Sequence, residues 1–285
     1  MKKLFFCTLL LFGIMSLSSQ TIETRKSYRL LDDNRKGFHP TFNAEGNLLA
    51  FTAENYEGLN VYDFSTQSVL TVSDEQGAGF QPVFGEDGKI FYKNTVYKSR
   101  LRYEGMKSYD LRKKTVKEEL EPQRNLNPEL KYGKGRKTTL PYVWSDGQNL
   151  NIRRNQKTEI LNPIENANGY IWASLSPNGQ MILFHAVAVG SFVSDLKGNI
   201  IASLGNLTAP AWYDNEFVVG MQSKDDGYNM TESKVIITNL KGNVTKQLSD
   251  SGQIAMYPTA SSAVKKVAYS TSTGDIYVLE LNITK

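Results

Sequence analysis

Ala173-Ser174-Leu175-Ser176-Pro177-Asn178-Gly179-Gln180-Met181-Ile182-Leu183-Phe184 joins a short apolar run to a second one through a polar turn. Pro, Asn and Gly are turn residues, and Gly supplies the positive φ of a tight reversal at no steric cost. The phrase recurs as Pro40-Thr41-Phe42 with Glu45-Gly46, and as Pro82-Val83-Phe84 with Asp87-Gly88. Fainter copies start at Pro128, Pro210 and Pro258, so the successive anchors lie 42, 46, 45, 37 and 48 residues apart. A period near this length is the signature of a β-propeller blade.

Each repeat reads as four strands. Strand A carries the anchor, and a Gly turn leads to apolar strand B. Strand C is recognisable in Val61-Tyr62-Asp63, Ser108-Tyr109-Asp110 and Phe192-Val193-Ser194-Asp195. Near-identical turns, Lys197-Gly198-Asn199 and Lys241-Gly242-Asn243, then lead to outer strand D. Lys113 to Leu120 reads as a short helix or an outer strand. In the third repeat Pro128 is the better anchor than Pro141, because Pro141 would leave too little chain for a blade. Tyr142–Ser145, Leu150–Arg153 and Glu159–Leu161 then become its strands B, C and D. The last repeat lacks a strand D, while Tyr28–Leu31 precedes the first repeat as an orphan strand. Pairing the two would close the ring and remove an unpaired edge. The expected fold is an all-β, six-bladed β-propeller whose N-terminal strand closes the last blade.

Ser174 to Phe184, and Phe84-Gly85-Glu86-Asp87-Gly88-Lys89-Ile90-Phe91-Tyr92 after it, resemble the TolB-type (WD-like) propeller repeat. That pattern is roughly Pro-x-Trp/Phe-Ser-Pro-Asp-Gly followed by an apolar strand. The resemblance covers most of the chain as six uneven copies and implies an envelope or secreted propeller. TolB also carries a separate N-terminal domain that contacts envelope machinery, and the stretch before Phe38 is too short for one. A stand-alone propeller is therefore expected.

Met1-Lys2-Lys3, an apolar run from Leu4 to Met15 and a small polar stretch from Ser16 to Gln20 make a secretory signal. The run is shorter than the ~20 residues that span a bilayer, so cleavage is expected, with no transmembrane anchor. Residues 1–19 are read as the signal and 20–285 as one propeller domain, periplasmic or secreted. Cys7 is the only cysteine and lies in the signal. A disulfide, a thiolate nucleophile and a cysteine metal site are thereby excluded from the mature chain. Removing Lys2 and Lys3 from the 33 basic residues leaves 31 against 29 acidic ones. That near balance gives no polybasic field for nucleic acid.

Catalytic signals are sparse. His39 and His185 are the only histidines, and they fall on different repeats. No nucleophile elbow, zinc-helix or phosphate-loop motif is present. Asp87, Asp146, Asp214, Asp225 and Asp226 sit in turns, where Asp bonds local backbone. Calcium at Asp225-Asp226-Gly227 is the one metal alternative. Asp63, Asp110 and Asp195 recur at one place on strand C and are expected to cap the following turn. The Lys- and Arg-rich stretch from Arg100 to Lys137 reads as a solvated edge. No catalytic residue, cofactor or metal is expected.

Propeller geometry supplies the binding candidates. The A strands line the central channel and are entered at one rim, so the residue before each anchor stands at a similar level. Those residues are His39, Gln81, Asn127, Trp172, Ala209 and Tyr257, a polar and aromatic set. Such a mix suits recognition of a peptide, a partner loop or a glycan. The expected protein is a monomeric, non-catalytic scaffold binding an envelope protein or glycan through His39, Gln81, Asn127, Trp172 and Tyr257. The alternative is an envelope glycan-active enzyme using two channel carboxylates about 5 to 9 Å apart.

Overall fold

Alternating β-branched and aromatic runs, each ended by a Gly, Asn or Asp turn, form six antiparallel sheets in a computed structural model that describes residues 20–127, 129 and 140–284. The first strand among the described residues is β1 (Thr21–Arg29). Blade 1 follows as β2 (Phe38–Phe42), β3 (Leu48–Thr52), β4 (Glu57–Asp63) and β5 (Ser68–Gln76). Blade 2 is β6 (Val83–Phe84), β7 (Lys89–Lys98), β8 (Leu101–Asp110) and β9 (Thr115–Gln123). Blade 3 contributes β10 (Tyr142–Ser145), β11 (Leu150–Arg154) and β12 (Lys157–Ile160). Blade 4 is β13 (Tyr170–Leu175), β14 (Met181–Ala186), β15 (Gly190–Asp195) and β16 (Ile200–Ser203). Blade 5 is β17 (Thr208–Trp212), β18 (Phe217–Asp225), β19 (Met230–Asn239) and β20 (Thr245–Gln247). Blade 6 is β21 (Ala255–Ser261), β22 (Lys266–Thr271) and β23 (Ile276–Thr284). The result is a six-bladed β-propeller.

Blade 6 takes its fourth strand from the other end of the chain. β1 pairs antiparallel with β23, from Thr21 opposite Thr284 to Arg29 opposite Tyr277. The Leu30 N–H then donates to the Ile276 carbonyl at 2.7 Å. The closing strand is thus longer at its N-terminal end than Tyr28–Leu31. The alternation of β1 is weak, with three consecutive exposed residues from Arg25 to Ser27, so the period-2 signal fades there.

The Pro128 anchor and the strand expected after it lie outside the described residues. The direction of β10 agrees with its reading as strand B. Its last residue, Ser145, donates its hydroxyl to the Tyr170 carbonyl at the start of β13. The Tyr170 N–H also donates to the Gly147 carbonyl at 3.2 Å. β10 therefore ends at the rim where β13 begins, which is where a strand B ends. The Lys113–Leu120 stretch is an outer strand, β9, and not a helix.

Apolar side chains pack between neighbouring blades. Phe217, Val235 and Ile237 of blade 5 meet Val267, Tyr269 and Leu279 of blade 6. Leu49 and Phe51 of blade 1 meet Ala268, Ile276 and Val278, also of blade 6. Each blade buries both faces, so no blade is a stable unit alone. The strand C carboxylates cap turns as expected. Asp63 Oδ1 accepts from the Ser65 N–H at 2.8 Å. Asp110 Oδ1 accepts from Lys113 at 2.8 Å, and Asp195 Oδ1 from Lys197 at 2.8 Å. These donors favour the ionised carboxylate and hold all three groups below the usual range.

Ring closure gives the first prediction. A chain beginning at Leu30 leaves the β23 edge unpaired. Its melting temperature should fall well below that of the 20–285 chain, and a synthetic peptide spanning residues 20–31 should restore it. Equal melting temperatures would show that β1 does not hold the ring.

Candidate functional site

The innermost strand of each blade is paired on one side only, and that edge is where Pro can sit without costing a ladder hydrogen bond. Pro40, Pro82, Pro210 and Pro258 are all buried there. Immediately before each anchor the backbone turns left-handed. The φ values are +50° at His39, +49° at Gln81, +53° at Trp172, +44° at Ala209 and +50° at Tyr257. In four blades the strand register slips at that point. Residues 39–40, 172–173, 209–210 and 257–258 each oppose a single residue of strand B. This is a β-bulge whose first residue lies in the left-handed region, a position that normally demands Gly. A non-glycine residue there costs about 1–3 kcal/mol. The left-handed residue recurs before the anchor in all five blades whose A strand is described, and the bulge in four of them.

The bulge brings neighbouring blades together. The Tyr257 N–H reaches Met221 Sδ of β18 at 3.1 Å. His39 lies against Tyr257 with ring centroids 3.9 Å apart, and stacks on Tyr56 at 4.5 Å. Tyr56 in turn meets Phe80 edge-on at 5.1 Å. Lys93 Nζ sits 4.8 Å over the Phe80 ring and pairs with Glu104 at 3.1 Å. The result is a continuous half-exposed run of Tyr257, His39, Tyr56 and Phe80 across blades 6, 1 and 2. Trp172 forms a second station, packed edge-on against His185 at 5.3 Å.

The expected residues fare differently. His39 and Tyr257 touch directly, and Trp172 is half-buried a few blades away. Gln81 is exposed at the same strand position. Ala209 is only 7% exposed and belongs to the packing. Asn127 is exposed in the segment before Pro128. Its Oδ1 accepts from the Glu129 N–H at 2.9 Å, and no contact joins it to the aromatic run among the described residues. Tyr56 and Lys93 were not legible as rim residues. Tyr56 sits in the β3–β4 turn, whose length differs from blade to blade, and Lys93 lies inside a long hairpin.

The two histidines do not meet. Burial drives the His39 imidazole down to about 4, so it is neutral at pH 5 to 8. His185 is buried, with Nδ1 3.0 Å from Ser191 Oγ and 3.1 Å from the Leu207 carbonyl. An Nδ1–H donated to that carbonyl satisfies it, and burial also lowers its pKa. Tyr56 and Tyr257 are held above the usual phenol range by burial. The rim therefore presents uncharged rings, with the Lys93–Glu104 ion pair at its blade 2 end.

Among the described residues no three His, Cys, Asp or Glu side chains come together to hold a metal ion. Asp225 and Asp226 are engaged by backbone N–H groups of Gly227, Tyr228 and Asn229 at 2.7 to 3.0 Å. At the far end of the channel, a cavity of about 580 Å³ is lined by residues that include Thr41, Pro82, Pro141 and Ser174. Its lining includes one carboxylate, Glu86. No helix among the described residues is long and apolar enough to cross a membrane.

Two predictions follow from this geometry. Ala209→Gly should relieve the left-handed strain and raise stability by up to about 1 kcal/mol, whereas Ala50→Gly, in an ordinary strand, should lower it. Urea unfolding of both variants checks this. The second concerns pH. Between about 6.5, the unfolded histidine value, and about 4, the unfolded chain binds a proton that folded His39 refuses. Stability should therefore fall as pH drops through this window. His39→Phe keeps the ring and should flatten the slope, leaving the part due to His185.

No family model matches the chain, and no curated protein matches it in sequence. Solved structures share its fold. TolB from Acinetobacter baumannii superposes with a TM-score of 0.57 at 16% identity, over 81% of this chain and 59% of that one. The chain thus spans less than two thirds of that TolB. A calcium-binding regucalcin from Agrobacterium tumefaciens gives 0.57 at 12% identity, covering 90% and 93%. An oligogalacturonate lyase in complex with manganese gives 0.53 at 11%, covering 93% and 98%. At these identities the likeness is one of fold alone, the β-propeller that this chain shares with TolB and with the other two proteins.

Proposed function

We propose that this chain is an exported, non-catalytic propeller scaffold that binds a protein or glycan of the cell envelope at its aromatic rim. Residues 1–19 act as the export signal, and 20–285 work as one domain in the periplasm or outside the cell. The observation that carries this reading is the rim itself. Tyr257, His39, Tyr56 and Phe80 form a contiguous run of half-exposed rings, with Trp172 and Gln81 at equivalent positions of other blades. Flat apolar faces beside a few hydrogen-bonding groups suit sugar rings and aromatic or apolar peptide side chains. His39, Tyr56, Gln81, Trp172 and Tyr257 all keep a left-handed backbone, and strain of this kind gathers at ligand-binding sites. Glycan turnover would need two converging carboxylates, whereas the aromatic run is built from rings and an imidazole, and Glu104 beside it is held by Lys93.

The test uses the 20–285 chain as bait on the solubilised envelope fraction of its own source. Trp172→Ala and Gln81→Ala are preferred to Tyr257→Ala, because Tyr257 also supports His39. Loss of an aromatic anchor such as Trp172 should weaken capture by about tenfold or more, with the melting temperature within ~4 °C of the parent. Undiminished capture by both variants would move the binding surface elsewhere.

A further inference from the structure

Two of the hairpins at the rim end are much longer than the others. In blade 2, β7 and β8 pair over ten positions, from Lys89 opposite Asp110 to Lys98 opposite Leu101. In blade 5, β18 and β19 pair from Phe217 opposite Asn239 to Asp225 opposite Met230. Both rise from the rim. Lys93 of β7 touches Phe80, and Met221 of β18 receives the Tyr257 N–H. Beyond those residues the hairpins extend about 16 Å and about 13 Å, at roughly 3.3 Å per residue. In a ring of six, blades 2 and 5 are three steps apart in either direction. The two arms therefore face each other across the channel.

Their tips differ in charge. The blade 2 tip carries Lys98, Arg100 and Arg102, all exposed, and its nearest carboxylate is Glu104, already paired with Lys93 and Arg102. Ser99 and Arg100 have φ of +49° and +63°, the left-handed pair of a type I′ turn that suits strand twist. The blade 5 tip carries Asp225 and Asp226, while its Lys224 is paired with Glu232 at 2.8 Å. Each tip also exposes apolar surface: Tyr97 is 58% and Leu101 43% exposed on one, and Tyr228 95% on the other.

We infer that the two arms make the rim face self-complementary, so that a second copy of this chain docks on it face to face. A two-fold axis parallel to the rim plane, at the height of the arms and perpendicular to the line between them, sets the basic arm of each copy beside the acidic arm of the other. One operation satisfies both contacts, as an isologous interface requires. Arg100 and Arg102 then meet Asp225 and Asp226, and Tyr228 meets Tyr97 and Leu101, where an arginine can also lie over the Tyr228 ring. The arms hold the two rims apart, and the aromatic runs face a shared space between the copies. This departs from the monomer expected from sequence, and it does not depend on the rim binding a partner.

Sedimentation of the 20–285 chain up to about 200 μM, a range that captures micromolar dissociation constants, tests the proposal. A concentration-dependent dimer is expected at low salt. Its dissociation constant should weaken at least tenfold at about 0.5 M NaCl, where exposed charges are screened. Arg100→Glu/Arg102→Glu alone should be monomeric, because both of its arms are acidic. Asp225→Lys/Asp226→Lys alone should be monomeric, because both of its arms are basic. An equimolar mixture of the two should form a heterodimer, a result that misfolding of either cannot produce. Monomers at every concentration, assemblies beyond a dimer, a dimer indifferent to salt, or variants that fail to associate on mixing would each overturn the inference. The salt series on the parent chain decides the matter if a variant does not fold.

Discussion

A propeller blade meets the channel with a strand that has a neighbour on one side only, and most of this molecule answers to that edge. The unpaired side tolerates Pro, so Pro40, Pro82, Pro210 and Pro258 can recur there. Just before each anchor the chain turns left-handed, at His39, Gln81, Trp172, Ala209 and Tyr257. That turn swings the backbone toward the next blade, and Tyr257 and His39 touch as a result. One backbone constraint thus links the sequence repeat, the strain and the composition of the rim. Side chains at the same strand level carry the ring onward. Ser191 and Ser233 each donate a hydroxyl to a carbonyl that leads into the following blade, at 2.5 and 2.6 Å.

Much of this was legible from residues alone, because the blade period and the Gly turns are chemical necessities. Pro177-Asn178-Gly179 turns, and the short apolar run Met181–Phe184 after it forms a strand buried on both faces. The missing last strand and the orphan near Tyr28 announced each other. The reading stopped where length, not composition, decides. The β3–β4 connection that carries Tyr56 and the arm that carries Lys93 have no counterpart of equal length in other blades. Their residues could not be aligned with the repeat. The type I′ turn at Ser99-Arg100 contains neither Asn nor Gly, so the usual hairpin signal was absent, and the arm was legible only as a basic stretch.

The candidate rim residues show the same division. Position before the anchor put His39 and Tyr257 at one level, where their rings touch, since backbone geometry fixes that level. It could not separate Ala209, whose small side chain is covered by its neighbours, from Trp172, whose large one is not. Nor could it foresee that His39 would lie between two phenol rings and lose its proton affinity to desolvation. Strand level follows from the repeat, whereas burial follows from the neighbours that each blade happens to supply.

The pairing of Thr21 with Thr284 also sets a timetable. The residues of β1 must wait for those of β23 before the ring can close. The hairpins of the earlier blades can assemble locally, but blade 6 stays incomplete until β23 has been made. Closing so large a loop costs entropy that grows only slowly with length, yet such distant contacts slow folding. A nascent chain held in this open form keeps β1 unpaired until β23 arrives, so the strand made early is the last to be fixed.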